Sequence, residues 1–271
     1  MNVCAHWCIH FGVSDENVEI KDASDLWGTD TMSAETILRE RHGKRAQVAC
    51  IGPGGERLSY MAGVCNDGGR IAARSGLGAV MGSKRLKAVV AAGTKRIEVC
   101  DREKIKTLSR TFRKRLEKKA GLKKIFSDRV FGMVGWLTRK GPLYTRQPAD
   151  LFRLMMSKYG TSSMTAMSAE SGDSPVKNWR GVGYLDFPLE RSQKIGAEAL
   201  AKYQTKRYGC FSCPLRCGAI LKIGDGPYPI DEMHRPEYET LCAFGALLLN
   251  DDLHSIFRIN DLLNRAGMDT I

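Results

Sequence analysis

Leu86-Lys87-Ala88-Val89-Val90-Ala91-Ala92, ended by Gly93, reads as a β-strand. A few residues on, Asp101-Arg-Glu-Lys-Ile105-Lys-Thr-Leu108-Ser-Arg-Thr-Phe112-Arg-Lys-Arg-Leu116-Glu-Lys-Lys-Ala120 reads as an amphipathic helix, with Ile105, Leu108, Phe112, Leu116 and Ala120 at helical spacing. The change of period near residue 100 decides the fold class. It predicts an α+β protein with a mixed part over 1–100 and a mostly helical part over 101–271.

Before that boundary, Val3, Ala5, Trp7, Ile9 and Phe11 alternate with Cys4, His6, Cys8 and His10, the period of a strand. Val18-Glu-Ile20 supplies a hairpin partner. Met32–His42 reads as a helix, with Asp30, Thr31 or Ser33 as its cap and Gly43 in the left-handed position after its end. Val48–Ile51 is a short strand broken by Gly52-Pro53-Gly54-Gly55. Beyond the boundary, helical periods cover 101–120, 149–159, 191–206, 237–249 and 251–266, with a loop rich in Gly, Ser and Pro over 160–188.

The chain has 271 residues and a net charge of +12. Between Asp101 and Lys124 stand eleven Lys/Arg against three Asp/Glu, so most of the excess lies on one segment. Such a run suits nucleic acid or an acidic redox protein, but its amphipathic spacing is that of a solvated surface helix, which argues against a nucleic-acid partner. No apolar stretch is long enough to span a membrane, and the N-terminus lacks the basic start and apolar core of a secretory signal. Both point to a cytoplasmic protein.

Nine cysteines, an odd number in a chain of this size, favour metal binding and free thiols over a disulfide framework. Cys210-Phe-Ser-Cys213-Pro-Leu-Arg-Cys217-Gly218 puts three thiols on one loop, which is what a chain offers an iron–sulfur cluster. A cubane cluster takes four ligands, so this run is one short. Cys4, His6, Cys8 and His10 share one strand face, where neighbours lie about 7 Å apart and cannot all reach one ion. Cys50, Cys65, Cys100 and Cys242 have no motif spacing and read as buried free thiols.

Asn66-Asp67-Gly68-Gly69-Arg70-Ile-Ala-Ala-Arg74-Ser75-Gly76-Leu77-Gly78-Ala-Val-Met-Gly82-Ser83-Lys84 has the build of a seat for a phosphorylated cofactor: glycines for close backbone approach, Arg and Lys for charge. It is not a dinucleotide fingerprint. Its last glycine spacing is one too long, no strand clearly precedes it, and no acidic residue follows about twenty residues on. Arg235-Pro236-Glu237-Tyr238-Glu239-Thr240 opens a helix with proline in its first turn and offers two carboxylates for acid–base work.

Taken together these segments resemble the tungsten-dependent aldehyde:ferredoxin oxidoreductase family over most of the chain. The resemblance rests on Asp22-Ala-Ser-Asp-Leu-Trp-Gly28, Gln47-Val-Ala-Cys-Ile-Gly-Pro-Gly-Gly-Glu56, Arg74–Lys84, Leu86-Lys-Ala88, the three-cysteine run, Pro236–Thr240 and Asn264-Arg-Ala-Gly-Met-Asp-Thr-Ile271, in that order. It implies a tungsten (or molybdenum) ion held by two pyranopterins beside a [4Fe–4S] cluster. It also implies oxidation of a small aldehyde to a carboxylic acid, with electrons leaving to ferredoxin or a similar acceptor. The sequence itself leaves the oligomeric state open, a homo-oligomer included. By resemblance Arg74, Ser75, Gly76, Leu77 and Gly78 contact a pterin, as do Asn264, Met268 and Asp269. The family usually has Asp in place of Asn264 and Leu in place of Met268. Cys210, Cys213 and Cys217 hold the cluster, and Glu239, then Glu237, match the active-site carboxylate. Residues 1–100 correspond to the end of the pterin-binding domain and 101–271 to the start of the helical domain. The resemblance further implies an internal piece of a longer protein, with the fourth cluster cysteine beyond residue 271. A tungsten subunit of benzoyl-CoA reductase type shares the motifs, although Pro236–Thr240 favours the aldehyde branch. The other class left open is a basic, metal-stabilised nucleic-acid-binding protein.

Overall fold

Alternating side chains from Ile9 to Val13 build β1, which pairs antiparallel with β2 (Val18–Asp22), Phe11 standing opposite Ile20. The structure, a computed structural model, describes residues 8–95, 97–118, 120–141 and 149–270. Residues 3–7 of the strand read from the sequence lie outside these. The chain forms two units, Met1–Glu98 with Asn260–Thr270, and Val99–Ile259. The terminal segment from Asn260, assigned by the sequence to the helical part, thus groups with the first unit.

In the first unit, α1 (Thr31–His42) begins where the Asp30 carboxylate accepts the N–H groups of Met32 and Ser33 at 2.9 and 3.0 Å. It ends at Gly43, whose φ of +99° suits glycine. The strands β3 (Gln47–Cys50), β4 (Val64–Asn66), β5 (Arg70–Ala72) and β6 (Leu86–Ala91) complete a six-stranded sheet of order β2-β1-β6-β3-β4-β5. Only β1 and β6 run parallel. Leu38 and Ala34 of α1 join Val48, Cys50, Cys65, Ala88 and Val90 in the core. Two short helices, α2 (Pro53–Glu56) and α3 (Leu77–Ser83), flank the sheet. The glycine-rich break after β3 is therefore a helical turn. A strand, β5, does precede the Arg74 loop, contrary to the sequence reading.

Lys87 stands between Leu86 and Ala88 on β6 but is completely buried. Its ammonium donates to Glu56 at 2.5 Å and to the Thr29 carbonyl at 2.9 Å, while Glu56 accepts the Gly28 N–H at 2.9 Å. Three of the sequence motifs, ending at Gly28, Glu56 and Ala88, thus meet at one buried ion pair.

The second unit carries α4 (Arg102–Lys118), α5 (Asp128–Lys140), α6 (Ala149–Tyr159), α7 (Met164–Ser171), α8 (Gly183–Asp186), α9 (Leu189–Lys194) and α10 (Ala197–Ala201). A three-stranded antiparallel sheet follows, β7 (Gln204–Tyr208), β8 (Gly218–Ile223) and β9 (Ile230–His234), then α11 (Tyr238–Phe244) and α12 (Leu253–Ala266), the last passing into the Asn260 segment. Phe187, Leu200, Leu221, Ile223, Leu241, Ile256 and Phe257 form its main core. The helix read over 191–206 is instead α9, α10 and the start of β7, and the loop read over 160–188 contains α7. Gly135 lets α5 meet α7: a Cβ there would stand 2.3 Å from the Met167 carbonyl. Cys50, Cys65 and Cys242 are buried free thiols as expected, but Cys100 is exposed.

Candidate functional site

The Arg74 loop turns sharply. Ser75 and Gly76 both have left-handed φ, +78° and +67°, and start α3. Gly78 and Gly82 face protein backbone. A Cβ on Gly78 would lie 2.6 Å from the Gly63 carbonyl oxygen, and one on Gly82 would lie 1.9 Å from that of Gly55. These two glycines seat α3 against α2 and the 62–63 segment. Arg74, Ser75 and Leu77 are left exposed.

The same segment gathers the distant candidates. The Gly78 N–H donates to the Ala62 carbonyl at 3.0 Å, Ala62 bridges to Met268, and the Asp269 N–H donates to the Met61 carbonyl at 2.8 Å. The Asp269 carboxylate stands 3.7 Å from the Arg74 guanidinium. Met268 covers Gly54, where a Cβ would meet its Cγ at 2.7 Å. Buried Asn264 accepts the Thr31 hydroxyl on its backbone carbonyl at 2.8 Å. All eight residues expected to touch a pterin therefore lie in one unit, from both ends of the chain. Tyr60, Met61, Leu77 and Val80 expose apolar surface along this edge. An exposed guanidinium beside a tight turn and an apolar edge is a donor set that fits a ring system bearing phosphate.

In the second unit the cysteines occupy the connection between β7 and β8. Left-handed Ser212 and Arg216 and a Cys213 N–H to Cys210 carbonyl bond of 2.9 Å coil the loop. Arg207 and Arg216 donate to each other's backbone carbonyls at 2.8 and 2.9 Å, which closes its base. Gly218 gives way to the Tyr208 ring, whose hydroxyl meets His234 Nδ1 at 2.5 Å. Buried Arg235 donates from Nη2 to the Cys217 carbonyl. Gly160 makes that contact possible, because a Cβ there would stand 2.2 Å from Nη2.

Burial pushes the Cys217 thiol above its ordinary value, and Glu237, Cys210 and Cys213 push it further. Thiols whose ionised forms repel one another on one loop fit a positively charged iron–sulfur group. Among the described residues no three His, Cys, Asp or Glu side chains are arranged around a single ion position. The expected carboxylates separate. Glu237 accepts the Thr161 hydroxyl, which in turn accepts the Tyr238 N–H at 2.9 Å, and its charge acts on Cys217. Exposed Glu239 instead raises the buried Cys242 thiol, after burial itself and Asp173. Gly160, Thr161 and the Cys217-binding role of Arg235 escape sequence reasoning, since no spacing ties them to the cysteines.

The family model for the N-terminal domain of aldehyde ferredoxin oxidoreductase matches residues 5–93, and the model for its domains 2 and 3 matches residues 145–271. The chain belongs to the aldehyde ferredoxin oxidoreductase family. Within the family it is 38% identical over 264 residues to a tungsten-containing aldehyde ferredoxin oxidoreductase of Pyrococcus horikoshii, covering 97% of this chain and 37% of the relative. The corresponding enzyme of Pyrococcus furiosus is 34% identical with the same coverage. An aliphatic sulfonate oxidoreductase, WOR-like subunit, of the same organism is 26% identical over 277 residues, covering 97% and 38%. The chain thus spans little more than a third of the length of the curated relatives it matches. Its fold is shared with the active-site complex of benzoyl coenzyme A reductase with 1,5-dienoyl-CoA, at a TM-score of 0.67 and 23% identity, covering 98% of this chain and 36% of that one.

Proposed function

We propose that this chain forms part of an oxidoreductase of the tungstopterin type that oxidises aldehydes to carboxylic acids and passes the electrons to ferredoxin. The observation that carries the reading is the joining of Arg74–Gly78 to Asn264–Asp269 through the Met61–Ala62 backbone. Residues so far apart in sequence converge where family resemblance expects one cofactor.

Arg74, Ser75, Gly76, Leu77 and Gly78, with Asn264, Met268 and Asp269, would hold the pterin. Cys210, Cys213 and Cys217 would hold three corners of a [4Fe–4S] cluster. Held there, the metal–pterin group would supply two-electron redox chemistry and the cluster one-electron transfer. The overall change is RCHO + H2O + two oxidised ferredoxins → RCOO⁻ + 3 H⁺ + two reduced ferredoxins. The chain's own part is positional and acid–base. Arg74, partly neutralised by Asp269, offers charge to an anionic group. Thr161 fixes the Glu237 carboxylate at the start of α11, and Glu239, two residues on, is exposed to solvent to take or give a proton. Arg235 holds the Cys217 backbone and so the loop's third thiol.

The test is turnover of the complete gene product, purified without oxygen. Aldehyde-dependent reduction of ferredoxin supports the proposal. Reduction of an aromatic thioester with no aldehyde oxidation would replace it with the ring-reducing chemistry of the fold neighbour.

A further inference from the structure

Beside the cysteine loop, within the second unit, lies a cleft of about 760 Å³. Arg113 of α4, Lys123, Lys206 and Arg207 of β7, and Arg216 of the loop line it against a single acid, Glu117. Cys213 forms part of its wall. Among the described residues none of these five cations is ion-paired with a carboxylate. Two of them are fixed in place, because Arg207 and Arg216 clasp each other's backbone carbonyls. Burial and the nearby Arg207 charge hold the Lys123 ammonium below its ordinary value. Cations crowded together without counter-charge raise the potential of a cleft and favour an anionic occupant. Next to it Phe211 projects from the loop, 96% exposed. An aromatic ring amid cations is the make-up of a protein-docking patch.

We infer that this cleft is the docking surface for the acidic face of the one-electron carrier, placing that carrier against the Cys213 side of the cluster loop. The inference rests on the proposed function and locates where its electrons leave. Charge complementarity selects the occupant: the cleft is open, positive and adjacent to a thiol expected to ligate the cluster. One electron passes from the cluster to each oxidised carrier, and no proton or bond is exchanged at this surface.

The test measures binding of a recombinant acidic ferredoxin to the complete gene product by fluorescence anisotropy. The dissociation constant should rise steeply between about 50 and about 300 mM NaCl. The triple variant Arg113→Gln/Lys123→Gln/Lys206→Gln should weaken binding about tenfold and raise the KM for ferredoxin. The charge-keeping variant Arg113→Lys/Lys123→Arg/Lys206→Arg should bind as the parent does, which separates charge from folding. Unchanged ferredoxin affinity in the neutral variant overturns the inference. So does pyrophosphate or RNA binding at the cleft more tightly than ferredoxin. Aldehyde oxidation with the small dye benzyl viologen keeps the two claims apart. Turnover with the dye but no effect of the neutral variant on ferredoxin defeats the docking surface alone. No turnover with the dye defeats the functional reading, and the inference falls with it.

Discussion

Arg235 reaches the backbone carbonyl of Cys217 through a gap that exists only because residue 160 has no side chain. The guanidinium is buried, and burial pulls it below its ordinary value. Arg235→Met would leave that carbonyl without its donor, at a cost of about 1–3 kcal/mol. Gly160→Ala should be as harmful, since it adds a Cβ at a left-handed φ of +66°. Urea denaturation reads the stability. Iron retention after gel filtration reads the loop, and both variants should lose iron faster than the parent. Unaltered retention would show that Arg235 does not position Cys217.

The Lys87–Glu56 pair is a buried ion pair in the first unit, and breaking it leaves a charge without its partner. Lys87→Met strands the Glu56 carboxylate away from water, and the loss should be about 3–5 kcal/mol in chemical denaturation. Adding Glu56→Gln should recover part of it, because the orphaned charge is then removed. A single-variant loss below about 1 kcal/mol would mean that water reaches the pair.

Gly82→Ala tests whether the loop glycines pack the fold. The added carbon would overlap the Gly55 carbonyl, so α3 must shift. A destabilisation of about 1–3 kcal/mol is expected, together with lower pterin content in the complete gene product. Full stability with full pterin content would contradict the close α2–α3 contact.

Acid should weaken the first unit. His10 is buried on β1, with Nε2 3.0 Å from that of His42. Burial, then His42, Lys21 and Arg41, hold His10 below its ordinary value. Burial and Lys21 do the same to His42, against the opposing pull of Glu19. The unfolded chain therefore binds protons more readily, and stability rises with pH. It is complete above the unfolded imidazole value of about 6.5 and is lost as pH falls from there through the folded-state values. Asp128, in the second unit, runs the other way. Burial pushes it up to about 6, although it caps the Ala197 and Glu198 N–H groups. Urea midpoints at acid and neutral pH, compared with those of His42→Gln, isolate the histidine term. The variant should lose less on acidification, and an equal loss would remove the pair from the account.

The β1–β2 hairpin, α1 and β6 were legible because alternation, a helical period and an Asp30 cap all act locally. The strands β4 and β5 are three residues each, too short for a period to emerge. α7 is built from Met, Thr, Ala, Ser and one Glu, with no apolar stripe to set it apart from a loop. The 191–206 helix failed at Gly196, which packs against the Asp128 carboxylate and separates α9 from α10. Cys210, Cys213 and Cys217 announced themselves by spacing. The contacts of Asn264, Met268 and Asp269 with the Met61–Ala62 strip are long-range, and only family resemblance paired them with Arg74 beforehand.

The most direct measurement is metal analysis with electron paramagnetic resonance on the complete gene product, purified without oxygen and reduced with dithionite. The account predicts tungsten or molybdenum together with iron, and the signal of a reduced [4Fe–4S] cluster that Cys210→Ser, Cys213→Ser and Cys217→Ser each abolish or alter. A protein free of both metals and silent in the spectrum, or a cluster signal indifferent to all three substitutions, would contradict it.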